Sequence, residues 1–308
     1  MKTILTFFFL FLLTNVASQN LNYTATEITI NKHIGGTLLS PVTNEQPKLA
    51  IIIADSGPTD RNGNQNLAKN GVLKKLAESL SKEGIATFRY DKRIVKQIRN
   101  NKVDPNITFD DFIADAINVI EYFKTIGSYR DIYIIGHGQG SLVGMLAAKG
   151  RADGFISLAG AGQSIDEVIT SQIANMDPSL VEGTKTAFES LKKGKLTNNY
   201  PPALASVFRA DVQPFIMTWM QYNPQDIIKS LEIPVLIING TKDLQVPVED
   251  AELLTKASNR AELQLIEKMN HVLFIIEGDE LENSKSYNES YRKISGDLVA
   301  AVIQFIEK

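Results

Sequence analysis

The 308 residues, 44% of them apolar, are enough for one large core with an insertion and too few for several independent domains. A formal net charge of −3 with scattered basic residues leaves no electrostatic footprint for nucleic acid or an anionic membrane, so the expected partner is a neutral or mildly polar small molecule. There is no cysteine, which excludes disulfides, thiolate metal sites and a cysteine nucleophile.

Residues 1–18 read as a signal peptide: Lys2, an apolar run from Ile4 to Leu13, and a small-residue exit at Val16-Ala17-Ser18. That run is far shorter than the roughly 20 residues a bilayer span needs. The expected protein is therefore secreted or periplasmic, starts near Gln19 and has no membrane span. Export without disulfides suits a bacterial periplasm.

From Glu27 to Pro41 an alternating pattern broken at Gly35-Gly36 predicts a β-hairpin. Four continuous apolar runs follow, Leu49 to Ala54, Ile85 to Tyr90, Ile132 to Gly136 and Gly154 to Leu158, each with the signature of a strand buried on both faces. Helical spacing separates them at Leu73 to Ser81, Phe109 to Phe123 and Leu142 to Ala148. This order predicts an α/β fold with a mostly parallel twisted sheet and helices on both faces.

Residues 163–230 contain no buried-strand run and read as a helical cap insertion, its aromatics mostly core of the cap. Strands resume at Pro234 to Ile238 and Leu263 to Ile266, and an amphipathic helix is expected from about Tyr287 to Glu307. The core is thus expected in two parts, 19–162 and 231–308.

The third buried run leads into Gly136-His137-Gly138-Gln139-Gly140-Ser141 and then a helix. A strand, a glycine-bounded turn and a helix make a nucleophile elbow, in which one side chain is thrust into a site. The middle position, where the serine of a Gly-x-Ser-x-Gly pattern would stand, is Gly138. A plain glycine-rich strand-to-helix turn and a phosphate cradle of the GxGxxG kind are the other readings; against the cradle, Gly136-x-Gly138-x-Gly140 has the wrong spacing and follows the third of these strands.

On these residues the chain resembles the α/β-hydrolases of the serine-esterase or serine-aminopeptidase-like branch. The stretch Ile51-Ile52-Ile53-Ala54-Asp55-Ser56-Gly57-Pro58 followed by Thr59-Asp60-Arg61-Asn62-Gly63-Asn64 is similar to the oxyanion loop of bacterial members. The resemblance extends to Arg89-Tyr90-Asp91-Lys92-Arg93, Asn239-Gly240-Thr241-Lys242-Asp243 and Lys268-Met269-Asn270-His271. It implies Asp243 as the triad acid and His271 as the catalytic histidine, in the superfamily's chain order. An Asx turn at Asp243 and a structural role for His271 are the alternatives.

In a working triad an imidazole takes the serine proton while a buried carboxylate fixes its tautomer, and backbone N–H groups meet the developing oxyanion. The expected donors are those of Ser56 and Gln139. Pocket candidates are His137, Phe215 and Trp219, with no cofactor or metal. Asp60 and Arg61 could bind substrate or serve only as turn caps and a local ion pair. Ser141 could replace the serine only from the first helical turn, where a side chain more often caps or packs. Asp55 stands where similar proteins often have glycine, and a carboxylate there would oppose an oxyanion.

The expectation is a carboxylic-ester or amide hydrolase by lineage, nearly inactive through loss of its serine, acting on a small acyl compound. The other reading is a non-catalytic exported binding protein.

Overall fold

The computed structural model describes residues 22–42 and 46–308; the signal-peptide reading falls outside them. Among the described residues eight strands form one sheet, β1 (Tyr23–Thr29), β2 (Gly35–Pro41), β3 (Leu49–Ile53), β4 (Ala86–Tyr90), β5 (Ile132–His137), β6 (Gly154–Leu158), β7 (Val235–Gly240) and β8 (Ala261–Ile266). Their order is β1-β2-β4-β3-β5-β6-β7-β8. β1 and β2 are antiparallel to each other, β2 is antiparallel to β4, and every other neighbour is parallel.

The apolar runs are continuous because both faces are covered. Along β3, Leu49, Ile51 and Ile53 enter one core cluster, with α3 (Phe109–Ile126) and α4 (Gln139–Ala148). Ala50 and Ile52 enter the other, with α1 (Val72–Lys82) and α12 (Gly296–Glu307). A strand with period-two side chains buries all five residues only between two such layers.

Helix α2 (Arg93–Arg99) follows β4 at once and carries no long apolar stripe; Val95 is its one buried residue. Between β6 and β7 come α5 (Ile165–Met176), α6 (Val181–Lys192), α7 (Ala205–Phe208), α8 (Gln213–Trp219) and α9 (Pro224–Lys229). Phe188, Leu191, Phe208 and Ile216 form a separate apolar cluster there. Phe215 and Trp219 instead pack on Phe109 of α3. Helix α10 (Val248–Ala257) joins β7 to β8, and α11 (Glu280–Ser286) precedes α12.

Two local expectations need correction. The hairpin turns at Asn31, whose Oδ1 accepts the N–H groups of His33 and Ile34 at 2.8 and 3.0 Å, and Gly35-Gly36 begins β2. The glycine is needed for closeness, since a Cβ on Gly36 would overlap the Phe88 ring and the Arg89 carbonyl. The last helix starts at Gly296 rather than Tyr287: Ser295 Oγ accepts the Leu298 N–H at 3.2 Å, and the Ser295 N–H donates to the Leu273 carbonyl at 2.8 Å.

Candidate active site

The elbow is built by its glycines. A Cβ on Gly136 would overlap the Gly140 carbonyl, and one on Gly140 would overlap the Ile53 carbonyl, so β5, α4 and β3 approach with no room for side chains. Between them Gly138 has φ 53° and ψ −120°, a left-handed strand-to-helix turn. Its N–H donates to the Leu158 carbonyl at 2.9 Å.

The histidine and the acid reach the elbow from two loops. His271 Nδ1 donates to Asp243 Oδ2 at 2.9 Å, and these side chains are 3% and 1% exposed. The Asx-turn reading of Asp243 holds as well, because its Oδ1 accepts the N–H groups of Gln245 and Val246 at 2.8 and 2.9 Å. One carboxylate thus shapes its own loop with one oxygen and orients the imidazole with the other.

The other face of the imidazole meets Asp55. His271 Nε2 donates to Asp55 Oδ2 at 3.1 Å. Asp55 Oδ1 accepts the Ser56 N–H at 2.5 Å and the Gln139 N–H, at the start of α4, at 2.9 Å. Both donors that the sequence assigns to an oxyanion therefore hold a carboxylate oxygen. A Cβ built on Gly138 would overlap Oδ1 and Cγ of Asp55 and stand 3.0 Å from its Oδ2. The Asp55 carboxylate, 13% exposed, fills the volume a serine side chain would take.

The charges support one another. Burial alone would push the Asp55 carboxyl up, but the hydrogen bond and charge of His271 outweigh it and hold Asp55 well below the usual carboxylate range. Burial likewise opposes charge on His271, yet Asp243 and then Asp55 raise it to about 10. The imidazole is a cation at neutral pH, clamped between two carboxylates. Behind the loop, Lys92 Nζ donates to the Asp55 carbonyl and stands 3.5 Å from Gln139 Oε1. Burial lowers Lys92 to about 8, with the Asp55 charge pulling the other way.

The remaining predicted residues separate. Ser141 Oγ pairs with Ser157 Oγ at 2.7 Å in the core and lines no cavity at the elbow. Asp60 closes a turn by accepting from Asn62 and Asn64, and Arg61 binds Asp91 at 3.0 Å, so both are parts of the loop frame. His137 Nε2 donates to the His271 carbonyl at 2.8 Å; burial, then the charge on His271, lowers its pKa.

Sequence reasoning missed the support of the histidine loop. Asn270 Nδ2 donates to Asn283 Oδ1 and Ser286 Oγ, each at 2.8 Å, and its Oδ1 accepts the Phe274 N–H at 3.0 Å. Asn283 Nδ2 in turn donates to the Lys242 carbonyl at 2.7 Å, tying this loop to the one that carries Asp243. The legible signal was the cap of α11, where Asp279 Oδ1 accepts the Glu282 N–H at 3.0 Å.

Three cavities meet at Asp55 or beside it. One of about 190 Å³ is lined by Asp55, Gly138, Gln139, Gln163, Trp219 and His271 among others. A larger one of about 850 Å³ shares Ser56, Gln139 and Trp219 with it and runs along Ile98, Phe112 and Phe215. A polar one of about 230 Å³ shares Asp55 and His271 with the first and is lined besides by His137, Asn70 and Tyr287.

Residues 68–279 match the family Serine aminopeptidase, S33. Esterase EstD of Thermotoga maritima is 28% identical over 262 residues, 82% of this chain; the match spans 60% of that relative's length. Est1E from Butyrivibrio proteoclasticus superposes with a TM-score of 0.58 over 92% of this chain and 99% of its own, at 20% identity. The Pyrococcus furiosus esterase PF2001 does so with a TM-score of 0.55 over 93% and 91%, at 16% identity. At these identities the structural likeness speaks for the fold. The chain belongs to the serine aminopeptidase S33 family and has the α/β-hydrolase fold.

Proposed function

We propose that this chain, of esterase-like lineage, acts on a small molecule at the Asp55–His271–Asp243 site and does not hydrolyse acyl esters by the Ser-His-Asp route. One observation carries this reading: the Asp55 carboxylate occupies both the volume of the missing serine and the two N–H groups that would receive an oxyanion. An ester carbonyl in that place would find no nucleophile on residue 138 and no free donor pair. Loss of one triad member typically leaves only about 10³–10⁴-fold over water. Here the oxyanion site is occupied as well.

The test is a pair of substitutions assayed with short-chain p-nitrophenyl esters. The native protein is expected near background. Gly138→Ser alone stays there, because its Cβ overlaps Asp55. Asp55→Gly with Gly138→Ser exchanges the two positions, empties the donor pair and should raise ester turnover by several orders of magnitude. Native ester turnover with an acyl group trapped on the protein would overturn the reading. Export is part of the same proposal: the mature N-terminus should lie near Gln19, and retention of Met1 on protein held inside the cell would overturn it.

A further inference from the structure

We propose that Asp55 is a nucleophile working from the loop after β3, and that the site hydrolyses alkyl halides through an ester formed on the Asp55 side chain. The inference rests on the same replacement of serine by Asp55 and adds a reaction to it.

The geometry decides between carbonyl and saturated carbon. Attack by Asp55 on an ester carbonyl would create an oxyanion on the substrate, yet the Ser56 and Gln139 N–H groups already hold Asp55 Oδ1. Attack on a saturated carbon creates no such oxyanion. The product of that attack is an ester of Asp55 itself, whose carbonyl oxygen, Oδ1, already sits between the two donors that its hydrolysis requires. The donor pair is thus arranged for an ester on the protein rather than for one on the substrate.

The leaving group follows from the lining. Among the residues that line the cavity of about 190 Å³, Asp55 and His271 are the only ionisable side chains. The others that can donate are uncharged, namely the amides of Gln139, Gln163, Gln172 and Gln245, the Trp219 indole and the Ser56 hydroxyl. An opened epoxide would need a proton for its alkoxide; in this cavity the one acid is His271, bound to Asp55 Oδ2 and Asp243 Oδ2, and the Tyr287 phenol lines the neighbouring polar cavity rather than this one. A halide departs as an anion that uncharged N–H groups can solvate. The adjoining cavity along Ile98, Phe112 and Phe215 suits an apolar chain on the carbon.

The steps balance. Asp55 Oδ2 forms a bond to the substrate carbon as the carbon–halogen bond breaks, giving an alkyl ester and a halide ion. Esterification removes one of the two negative charges that hold the proton on His271, so the imidazole can release it and act as a base. Water, for which the polar cavity beside Asp55, His271 and Tyr287 offers space, gives a proton to His271 and adds to Cγ. The oxyanion on Oδ1 is met by Ser56 N and Gln139 N. The Cγ–O bond to the alkyl group then breaks, His271 returns its proton to the departing alkoxide, and the Asp55 carboxylic acid passes its proton to His271, which restores both the carboxylate and the imidazolium; the proton His271 first released to solvent is the one produced. The sum is alkyl halide plus water giving alcohol, halide and a proton.

The experiment incubates the full protein with 1-chlorohexane and 1-bromohexane and reads halide release, intact mass and peptide masses. Native protein should release halide at least about a hundredfold faster than Asp55→Asn, the loss expected when a nucleophile is removed. Folded His271→Gln, checked by circular dichroism, should accumulate a hexyl group on the peptide that contains Asp55. Should that variant not fold, a single turnover of native protein in ¹⁸O-water decides: the label should enter the Asp55 carboxylate and not the first hexanol formed. No halide release and no Asp55 adduct would overturn the proposal. Turnover of styrene oxide without turnover of either haloalkane would overturn the substrate class. Ester turnover by the exchanged Asp55→Gly/Gly138→Ser variant is read separately, so failure of one proposal leaves the other measurable.

Discussion

The two halves of the site stand differently toward the serine mechanism. The half after β7 and β8 has the acid and the imidazole 2.9 Å apart, both nearly fully buried, in the arrangement a triad requires. The half after β3 and β5 does not have that arrangement. Residue 138 of the elbow has no side chain, and the loop facing it sends the Asp55 carboxylate into the space a side chain there would take. A lost serine alone would leave a hole at the elbow and a free donor pair. What stands there is a carboxylate with both oxygens bonded. Residues 55 and 138 face each other and have to be interpreted together, because either one alone gives an incomplete account of the chemistry.

The sharpest way to break this comparison is to reverse the exchange. Asp55→Gly/Gly138→Ser should gain ester turnover by about 10³-fold or more over either single variant, the scale on which triad members act together. Equal activity of Gly138→Ser alone would show that Asp55 yields its place freely.

A second prediction concerns the charge that now holds the halves together. The folded state raises His271 from 6.5 to about 10, so its stabilising contribution is complete below pH 6.5 and is lost as pH climbs toward 10. Asp55, shifted downward from 3.8, contributes above that value and loses the contribution as pH falls. Lys92, lowered by burial to about 8, adds stability above that pH and offsets part of the loss. The clean window is therefore between pH 6.5 and 8, where one proton gives at most about 1.4 kcal/mol per pH unit. The melting temperature should fall across it in native protein and fall less in Asp55→Asn. A flat native profile would refute the clamp.

Two smaller effects sharpen the contrast between the halves. Asn270→Ala strips the histidine loop of three hydrogen bonds and leaves Asn283 and Ser286 in the interior with partners missing, a cost of about 2–3 kcal/mol in urea unfolding. Any halide release should fall with it, since the loop carries the imidazole. Ser141→Ala loses the bond to Ser157, about 1 kcal/mol, and should leave every reaction at the site unchanged. A large loss of turnover there would return Ser141 to the list of nucleophile candidates.

Much of the architecture was legible because double burial writes itself into composition. Five apolar residues in a row at β3, with both neighbours parallel, need two covering layers, and the spacing of α1 and α3 supplied them. Short helices without a stripe were not legible: α2 buries one residue, and the region before α12 is set by the Ser295 cap and the Leu273 carbonyl. The turn at Asn31 was misplaced because Gly35-Gly36 looks like a turn signal, whereas Gly36 is there to let β2 pass close to Phe88.

By itself the sequence determined the absence of a side-chain oxygen at residue 138, and its resemblance placed the elbow, Asp243 and His271 in that order, each after a strand. It also marked Asp55 as out of place. Only the tertiary structure decided where that carboxylate goes, because residues 55, 138, 243 and 271 meet through strand crossovers and not through neighbouring positions. A charge's role depends on what lies within a few ångströms of it. For Asp55 those neighbours are two backbone N–H groups, one of them opening a buried helix, and an imidazolium.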